Sequence, residues 1–143
     1  MRTAACLRTP LDIIGPAGFD MSDRALRRAA LDYLDRGDVT RHESFEAFNA
    51  WRLLKSPAPR LVLVTSHAAE RLANFIFNAD DILMLGRESA GVPEAVRDRA
   101  DVAVRIPIAS GLRSLNVAVA GAIVLAEALR QTGGFPADTP RDA

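Results

Sequence analysis

The segment LGRESAGVP, residues 85–93, combines the residue types of a ligand-binding loop. An apolar run over 82–85 ends just before Gly86, and Gly91 and Pro93 follow, with the carboxylate of Glu88 between the two glycines. Glycines at the carboxyl end of a strand let a ligand approach the backbone closely, and open α/β sheets bind ligands at that end. The spacing is neither the G-x-G-x-x-G dinucleotide fingerprint nor a P-loop. From its residues alone, the segment fits a ligand-binding loop and an ordinary strand-to-helix turn equally well.

A second segment, RIPIASGLRSLN at 105–116, repeats this arrangement after another apolar run. Pro107 removes a ladder donor at the end of that run, so the backbone there is available to a ligand. Ser114 and Asn116 stand at the mouth of a long helical pattern, where a hydroxyl, an amide and unpaired N–H groups meet. Capping of that helix is the simpler role for Ser114, and ligand binding is the alternative.

The elements that must position these loops alternate between short aliphatic runs and helical patterns, which predicts an α/β domain with a mostly parallel sheet. We predict strands at 11–14, 38–40, 61–64, 82–85 and 102–106, and helices at 22–34, 44–54, 68–77, from Pro93 onward, and at 114–131. Ser44 is the expected N-cap of the second helix with Ala47 at N3, and Gly133 ends the last helix. Before Glu127 that last helix is apolar on nearly every face, which predicts burial and a second copy of the chain covering its spare face.

The composition is that of one globular domain. The chain has 143 residues, 49% hydrophobic and 25% charged, which predicts a single domain over 1–136 and a frayed tail over 137–143. The 18 basic and 18 acidic residues cancel, so any contact with a polyanion needs a local patch. Cys6 has no bridging partner and is expected to be buried, and with His42 and His67 it forms no zinc-ligand spacing, so no metal is predicted. The chain has no apolar run near the ~20 residues of a membrane span and no signal peptide, which predicts a cytoplasmic protein.

Residues 1–7 read as the back half of a helix that lacks both a cap and a preceding strand. A parallel α/β domain normally opens on a strand. We therefore expect that this sequence begins after the first strand of its fold.

Taken together, the two loops resemble motifs two and three of the SPOUT superfamily of RNA methyltransferases, in the branch that methylates the ribose 2′-hydroxyl. IIGPAGF at 13–19 and RRAALDY at 27–33 are similar to the members that act on wobble nucleotide 34 of tRNA, and the resemblance extends from Arg2 to about Pro136. It implies a deep C-terminal trefoil knot, S-adenosylmethionine as cofactor, a homodimer formed through the last helix, and leucine tRNAs as substrates. Arg8 stands where these relatives commonly have glycine.

The resemblance also implies roles for individual residues. It places the cofactor mainly against the backbone of three loops, at Val64, Thr65, Gly86, Glu88, Gly91, Ile106, Ile108, Ser114, Leu115 and Asn116. Arg2 falls on the arginine assigned to activate the ribose hydroxyl, although the asparagine and glycine that precede it in the family pattern are absent, and a frayed surface cation is the alternative. Phosphate contacts with tRNA are expected from Arg27, Arg28, Arg41 and Arg113. The first two are surrounded by aspartates, so a salt-bridged surface is the alternative for them.

Three functions therefore stay open at this point. The first is an active wobble-nucleotide methyltransferase. The second is a protein that keeps the cofactor site without turnover, because most of motif one is missing. The third is a 2′-O-methyltransferase for another RNA, such as ribosomal RNA.

Overall fold

The computed structural model describes residues 1–16, 38–87 and 90–137. The chain divides into two compact units, Met1–Arg52 with Phe135–Ala143, and Leu53–Gly134. All pairings between the described strands are parallel, which confirms the predicted α/β class. No helix within the described ranges is long and apolar enough to cross a membrane.

The first unit contains a two-stranded parallel sheet and a helix packed beside it. Its elements are α1 (Arg2–Cys6), β1 (Leu11–Ile14), β2 (Val39–His42) and α2 (Phe45–Leu53). The Ser44 hydroxyl accepts the N–H of Ala47 at 3.2 Å, so the predicted N-cap is confirmed. Cys6 is exposed, and the expectation that it is buried was wrong, because α1 buries none of its residues. The predicted helix at 22–34 lies outside the described residues.

The second unit is built on a four-stranded parallel sheet. Its strands are β3 (Leu61–Val64), β4 (Glu70–Arg71), β5 (Ile82–Leu85) and β6 (Val102–Arg105), in the order β4-β6-β3-β5. The central strand β3 is apolar at each position because both faces of the sheet are covered, and Leu61 and Val62 are fully buried. The predictions for 61–64 and 82–85 are confirmed to the residue, whereas 102–106 ends one residue earlier and 38–40 is displaced to Val39–His42.

The predicted helix at 68–77 was wrong. This stretch contains the short edge strand β4 and a single 3-10 turn, Leu72–Asn74, followed by an extended segment. Phe75 and Phe77 are buried on either side of Ile76, which is 77% exposed. The side chain of Gln131 holds this segment, donating to the Phe75 carbonyl and accepting the Phe77 N–H, both at 2.9 Å. Backbone groups that a helix would pair internally are therefore paired with a side chain more than fifty residues away.

A helix follows each of β5 and β6, the strands that lie on either side of β3. The predicted helix at Pro93 is present as the short helix α3 (Glu94–Arg97), with Pro93 as its N-cap and not its first residue, and the long helix is α4 (Val117–Thr132). The prediction that the long helix starts at 114 was wrong, because Asn116 is its N-cap and its side-chain oxygen accepts the N–H groups of Ala118 and Val119. Gly133 ends it with φ of 66°, a left-handed conformation that favours glycine.

Helix α4 packs across β3 and β5 through Val124, which is fully buried. Val124 joins a core with Val62, Val104 and Leu72. The rest of the helix is less covered than its composition predicts, and Val119 and Ile123 are 49% and 39% exposed. The single chain therefore leaves an apolar stripe of α4 uncovered.

Candidate functional site

A cavity of about 380 Å³ opens at the carboxyl ends of β3, β5 and β6. Its size lies in the range of small-molecule sites, and its position is the one that open parallel sheets use for ligands. Eight of the predicted cofactor residues line it: Val64, Thr65, Gly86, Gly91, Ile106, Ile108, Ser114 and Leu115. The structure thus brings together three loops that are far apart in sequence.

The first loop leaves β3 in a tight turn. Thr65 donates its N–H to the Val104 carbonyl on β6 at 3.0 Å, which ties the end of one strand to its neighbour. The Thr65 hydroxyl then accepts the N–H of His67 at 3.4 Å, and the buried Ala68 anchors the end of the turn. Ser66 and His67 are exposed and line the cavity.

The second loop follows β5 and is closed by two backbone hydrogen bonds. Arg87 donates its N–H to the Gly91 carbonyl at 3.0 Å, and Gly91 donates to the Arg87 carbonyl at 2.7 Å. A Cβ on Gly86 would lie 2.5 Å from the Gly91 carbonyl carbon, so only glycine permits this closure. Gly91 has φ of +65° with open space where a side chain would project. Both glycines are therefore required by the loop geometry, for different reasons.

The third loop connects β6 to α4. Pro107 follows the end of the strand, Leu112 donates its N–H to the Ala109 carbonyl at 3.3 Å, and Gly111 between them has φ of +85°. This turn brings Ser114 and Leu115 to the cavity. Asn116 is not among the residues that line it, because its side chain caps α4.

The walls of the cavity are aliphatic and its charged groups are cations. Leu85 and Leu115 are 41% and 38% exposed although they line it, so the chain leaves apolar surface here for a ligand to cover. Arg87 and Arg113 are the charged side chains among the described lining residues, none of which is acidic. In a chain with balanced charge, this local excess favours an anionic partner at the cavity mouth.

Two further predicted residues, Arg2 and Arg41, are not among the residues that line this cavity. Arg2 lies in α1 and Arg41 in β2, both exposed and both in the first unit. Arg27, Arg28 and Glu88 lie outside the described residues. Within the described ranges, no group of His, Cys, Asp and Glu side chains is arranged to bind a metal.

Three polar lining residues, Ser66, His67 and Arg87, were not predicted as site residues from the sequence. Arg87 lies inside the LGRESAGVP segment, where the glycines and the carboxylate indicate the ligand loop, so its place in that segment is the signal that could have identified it. His67 follows a predicted strand by three residues, the usual position of a functional side chain in a parallel sheet. The sequence shows no metal-ligand spacing around His67, so its pattern predicts no role for it.

Comparison with known proteins places the chain in a family. A family model described as the SpoU rRNA Methylase family matches residues 1–126. A tRNA (cytidine(34)-2′-O)-methyltransferase from Ancylobacter novellus is 54% identical over 134 residues, which cover 94% of this chain and 84% of the relative. Another from Beijerinckia indica is 52% identical over 143 residues, which cover 99% and 88%.

Comparison with solved structures gives the same family. One from work on the 2-OH methylation of C/U34 on tRNA has a TM-score of 0.81 and 38% identity, and the match covers 91% of this chain and 83% of that one. The SpoU methyltransferase AviRb from Streptomyces viridochromogenes, in complex with AdoMet, has a TM-score of 0.82 and 30% identity, with 91% and 53% covered.

The parallel fold, the cavity at its strand ends and these matches define an RNA methyltransferase of the SPOUT class, and the chain belongs to the SpoU methylase family. Within that family, the two relatives named above, which share more than half of its residues, are tRNA (cytidine(34)-2′-O)-methyltransferases. The similarity inferred from IIGPAGF and RRAALDY is thereby confirmed.

Proposed function

We propose that this chain transfers a methyl group from S-adenosylmethionine to the ribose 2′-hydroxyl of nucleotide 34 in tRNA. The observation that carries the proposal is the cavity, where the two motif segments and the end of β3 converge. We infer the substrate from the names of the relatives and the cofactor from the AdoMet complex of AviRb.

The residues of the cavity fit the cofactor. Leu85, Ile106, Ile108 and Leu115 provide apolar surface for a flat base. The turns at Gly91 and Gly111 present backbone next to open space, where hydrogen-bonding groups of a nucleoside can approach. The bound cofactor supplies an electrophilic methyl group on a sulfonium. The trefoil knot, and the roles of Glu88 and Asn116 in binding, remain predictions.

The chain's own residues would hold the RNA and orient the ribose. Arg113 and Arg87 lie at the cavity and can pair with backbone phosphates. We assign Arg27, Arg28 and Arg41 to further phosphate contacts and Arg2 to positioning of the 2′-hydroxyl. A guanidinium carries N–H donors and no acceptor, so Arg2 would act as a hydrogen-bond donor to the hydroxyl.

Two measurements on the purified chain test this proposal. Methyl transfer is followed by mass spectrometry on unmodified leucine tRNA, at nucleotide 34, and on unmodified ribosomal RNA. Binding of S-adenosylhomocysteine is measured by calorimetry. We expect 2′-O-methylated nucleotide 34 together with binding. Binding without product would support the non-catalytic alternative, and product only on ribosomal RNA the third function. An absence of both binding and product would refute the site itself.

We also propose that leucine isoacceptors are the substrates and that the chain works in the cytoplasm as a homodimer through α4. Val119 and Ile123 are four residues apart and therefore lie on one helical stripe, and both are exposed in the single chain. A second copy would cover them.

The dimer has a matched test in sedimentation velocity. Ile123→Asp is expected to shift the chain toward monomer, because it places a charge in the contact. Leu54→Asp is the control, since Leu54 is 87% exposed and lies outside α4. A monomeric wild-type chain, or equal behaviour of the two variants, would contradict the interface.

A further inference from the structure

We infer that Gly121 is a positioning residue for the cofactor. Its missing side chain lets Leu85 pack directly on the backbone of α4, and this packing leaves the cavity wide enough for a nucleoside. The inference rests on the proposed function, because the ligand is taken to be S-adenosylmethionine. Neither Gly121 nor Leu85 is among the positions to which the resemblance assigns a role.

Gly121 lies in the interior of α4, where glycine is an unfavourable choice. It is the single glycine of residues 117–132, in a run that is otherwise rich in alanine and branched aliphatic residues. A glycine in the middle of a helix lowers its stability relative to alanine, because fixing the glycine backbone loses more chain entropy. A packing requirement is therefore expected at this position.

The neighbour that requires glycine at 121 is Leu85, the last residue of β5. A Cβ on Gly121 would lie 2.7 Å from Cδ1 of Leu85, and Cδ2 and Cγ of the same side chain would lie at 3.8 Å. Apart from the helix backbone and the adjacent residues, these are the three atoms nearest to that Cβ. One methyl group of Leu85 therefore occupies the place of a side chain on α4.

The side chain of Leu85 is also part of the cavity wall. Leu85 is 41% exposed and lines the cavity together with Val117 and Ala120 of α4. Gly121 lies four residues after Val117, on the same helical face. The open space next to Leu85 is thus the cavity itself, and Leu85 would enter it on moving away from α4.

An alanine at 121 would displace Leu85 toward the ligand. Cδ1 of Leu85 would have to move by about 0.7 Å to reach the 3.4 Å of an ordinary contact. The backbone of Leu85 is held in the sheet opposite Val64 of β3, so the side chain has to change its rotamer. The displaced methyl group would then overlap the apolar surface proposed for the base of the cofactor.

Calorimetric titration of the whole chain with S-adenosylhomocysteine tests this role. We expect Gly121→Ala to bind roughly 10- to 200-fold more weakly, the range for one methyl group too many in an apolar pocket. Gly134→Ala is the matched control, because its Cβ would meet Cδ2 of Leu129 at 2.9 Å. Leu129 is not among the described residues that line the cavity, so this control should bind within about twofold of wild type.

A second pair of variants identifies the part played by Leu85. In a Leu85→Ala chain, an alanine at 121 has no methyl group to displace, so adding Gly121→Ala should change the affinity by less than about twofold. Thermal unfolding without ligand separates binding from folding. Gly121→Ala should unfold at the wild-type temperature or above it, because alanine favours the helix.

Three results would overturn the inference while the proposed function stands. The first is a Gly121→Ala chain that binds within about twofold of wild type. The second is an equal loss of affinity with and without the Leu85 side chain, since the effect would then not pass through Leu85. The third is a Gly121→Ala chain that unfolds at a lower temperature without ligand, which would make the glycine a requirement of folding. A wild-type chain that does not bind S-adenosylhomocysteine overturns the inference and the proposed site together.

Discussion

Replacing Gly86 by alanine inserts a methyl group into the closed loop after β5. The new Cβ would lie 2.5 Å from the carbonyl carbon of Gly91 and 2.7 Å from the backbone nitrogen of Val92. Backbone atoms cannot rotate away, so this strand of the loop must retreat by about 0.9 Å to reach the 3.4 Å of an ordinary contact. Such a movement opens both backbone hydrogen bonds between Arg87 and Gly91, which measure 3.0 and 2.7 Å.

Each of those bonds contributes about 0.5–1.5 kcal/mol net, so the closed loop should lose about 1–3 kcal/mol in the Gly86→Ala variant. A ligand that requires the closed loop would bind roughly 5- to 150-fold more weakly. Calorimetric titration with S-adenosylhomocysteine and thermal unfolding measure the two effects.

Gly134→Ala is the matched control. Its Cβ would meet the end of the flexible Leu129 side chain at 2.9 Å, and it lies outside the cavity, so binding should be unchanged. A Gly86→Ala chain that binds within twofold of wild type and unfolds at the same temperature would refute the reasoning about the loop.

Three further predictions concern stability. Arg8→Gly should raise the free energy of unfolding by about 0.5–1 kcal/mol in urea titrations, because Arg8 has φ of 50° and a left-handed conformation costs more than the extra chain entropy of glycine. Arg8→Ala keeps a Cβ and should not raise the free energy of unfolding, so a gain in that variant would contradict this cause. Asn116→Ala should lower the free energy of unfolding by about 0.5–2 kcal/mol, because the α4 cap is lost, while Asn116→Asp retains stability. Equal stability of these two variants would show that the side chain does not stabilise the helix as a cap. Hydrogen bonds from Arg130 and Gln131 lower the pKa of Glu127 from 4.5 to about 2, so its contribution is complete above pH 4.5 and is lost as the pH falls toward 2. Thermal scans across that window should show a weaker acid dependence in Glu127→Gln, and an unchanged dependence would assign the effect to other carboxylates.

The strands of the sheet were predictable because the hydrophobicity of their residues matches their burial in the structure. Leu61, Val62 and Leu63 form a short aliphatic run, which suits a strand covered on both faces, and the structure buries all three. The same holds for 82–85, where the glycine after the run marks the end of the strand. Local composition and tertiary environment point to the same answer at these positions.

The stretch at 68–77 was not predictable from local pattern. Ala68, Leu72 and Phe75 have helical spacing, yet Phe75 and Phe77 alternate around the exposed Ile76 as they would in an extended chain. The interaction that decides between these is the pair of hydrogen bonds from Gln131, which is distant in sequence. Tertiary contacts of this kind override helical periodicity, and no window of neighbouring residues contains them.

The site was predicted at the level of loops and less well at the level of side chains. The positions of Gly86, Gly91 and Pro107 in the sequence predicted where the backbone is accessible to a ligand. The structure places the two glycines in the lining of one cavity. Asn116 carries a side chain suited to both a cap and a ligand. The structure shows it as the cap of α4, with its oxygen 3.0 and 3.3 Å from the backbone nitrogens of Ala118 and Val119, and its role in binding stays a prediction. His67 has no motif around it, so only the folded chain reveals that it borders the cavity.

The partly exposed Leu85 and Leu115 have a consequence for the lifetime of the protein. Their aliphatic surface would become interior only when a nucleoside lies on it, so the methyl donor would complete the packing of the second unit as well as supply the reaction. A ligand present at a hundred times its dissociation constant adds about 2.7 kcal/mol to the stability of the form that binds it. Starvation for the methyl donor would then expose the chain to unfolding and proteolysis, and the amount of enzyme in the cell would follow the supply of its cofactor.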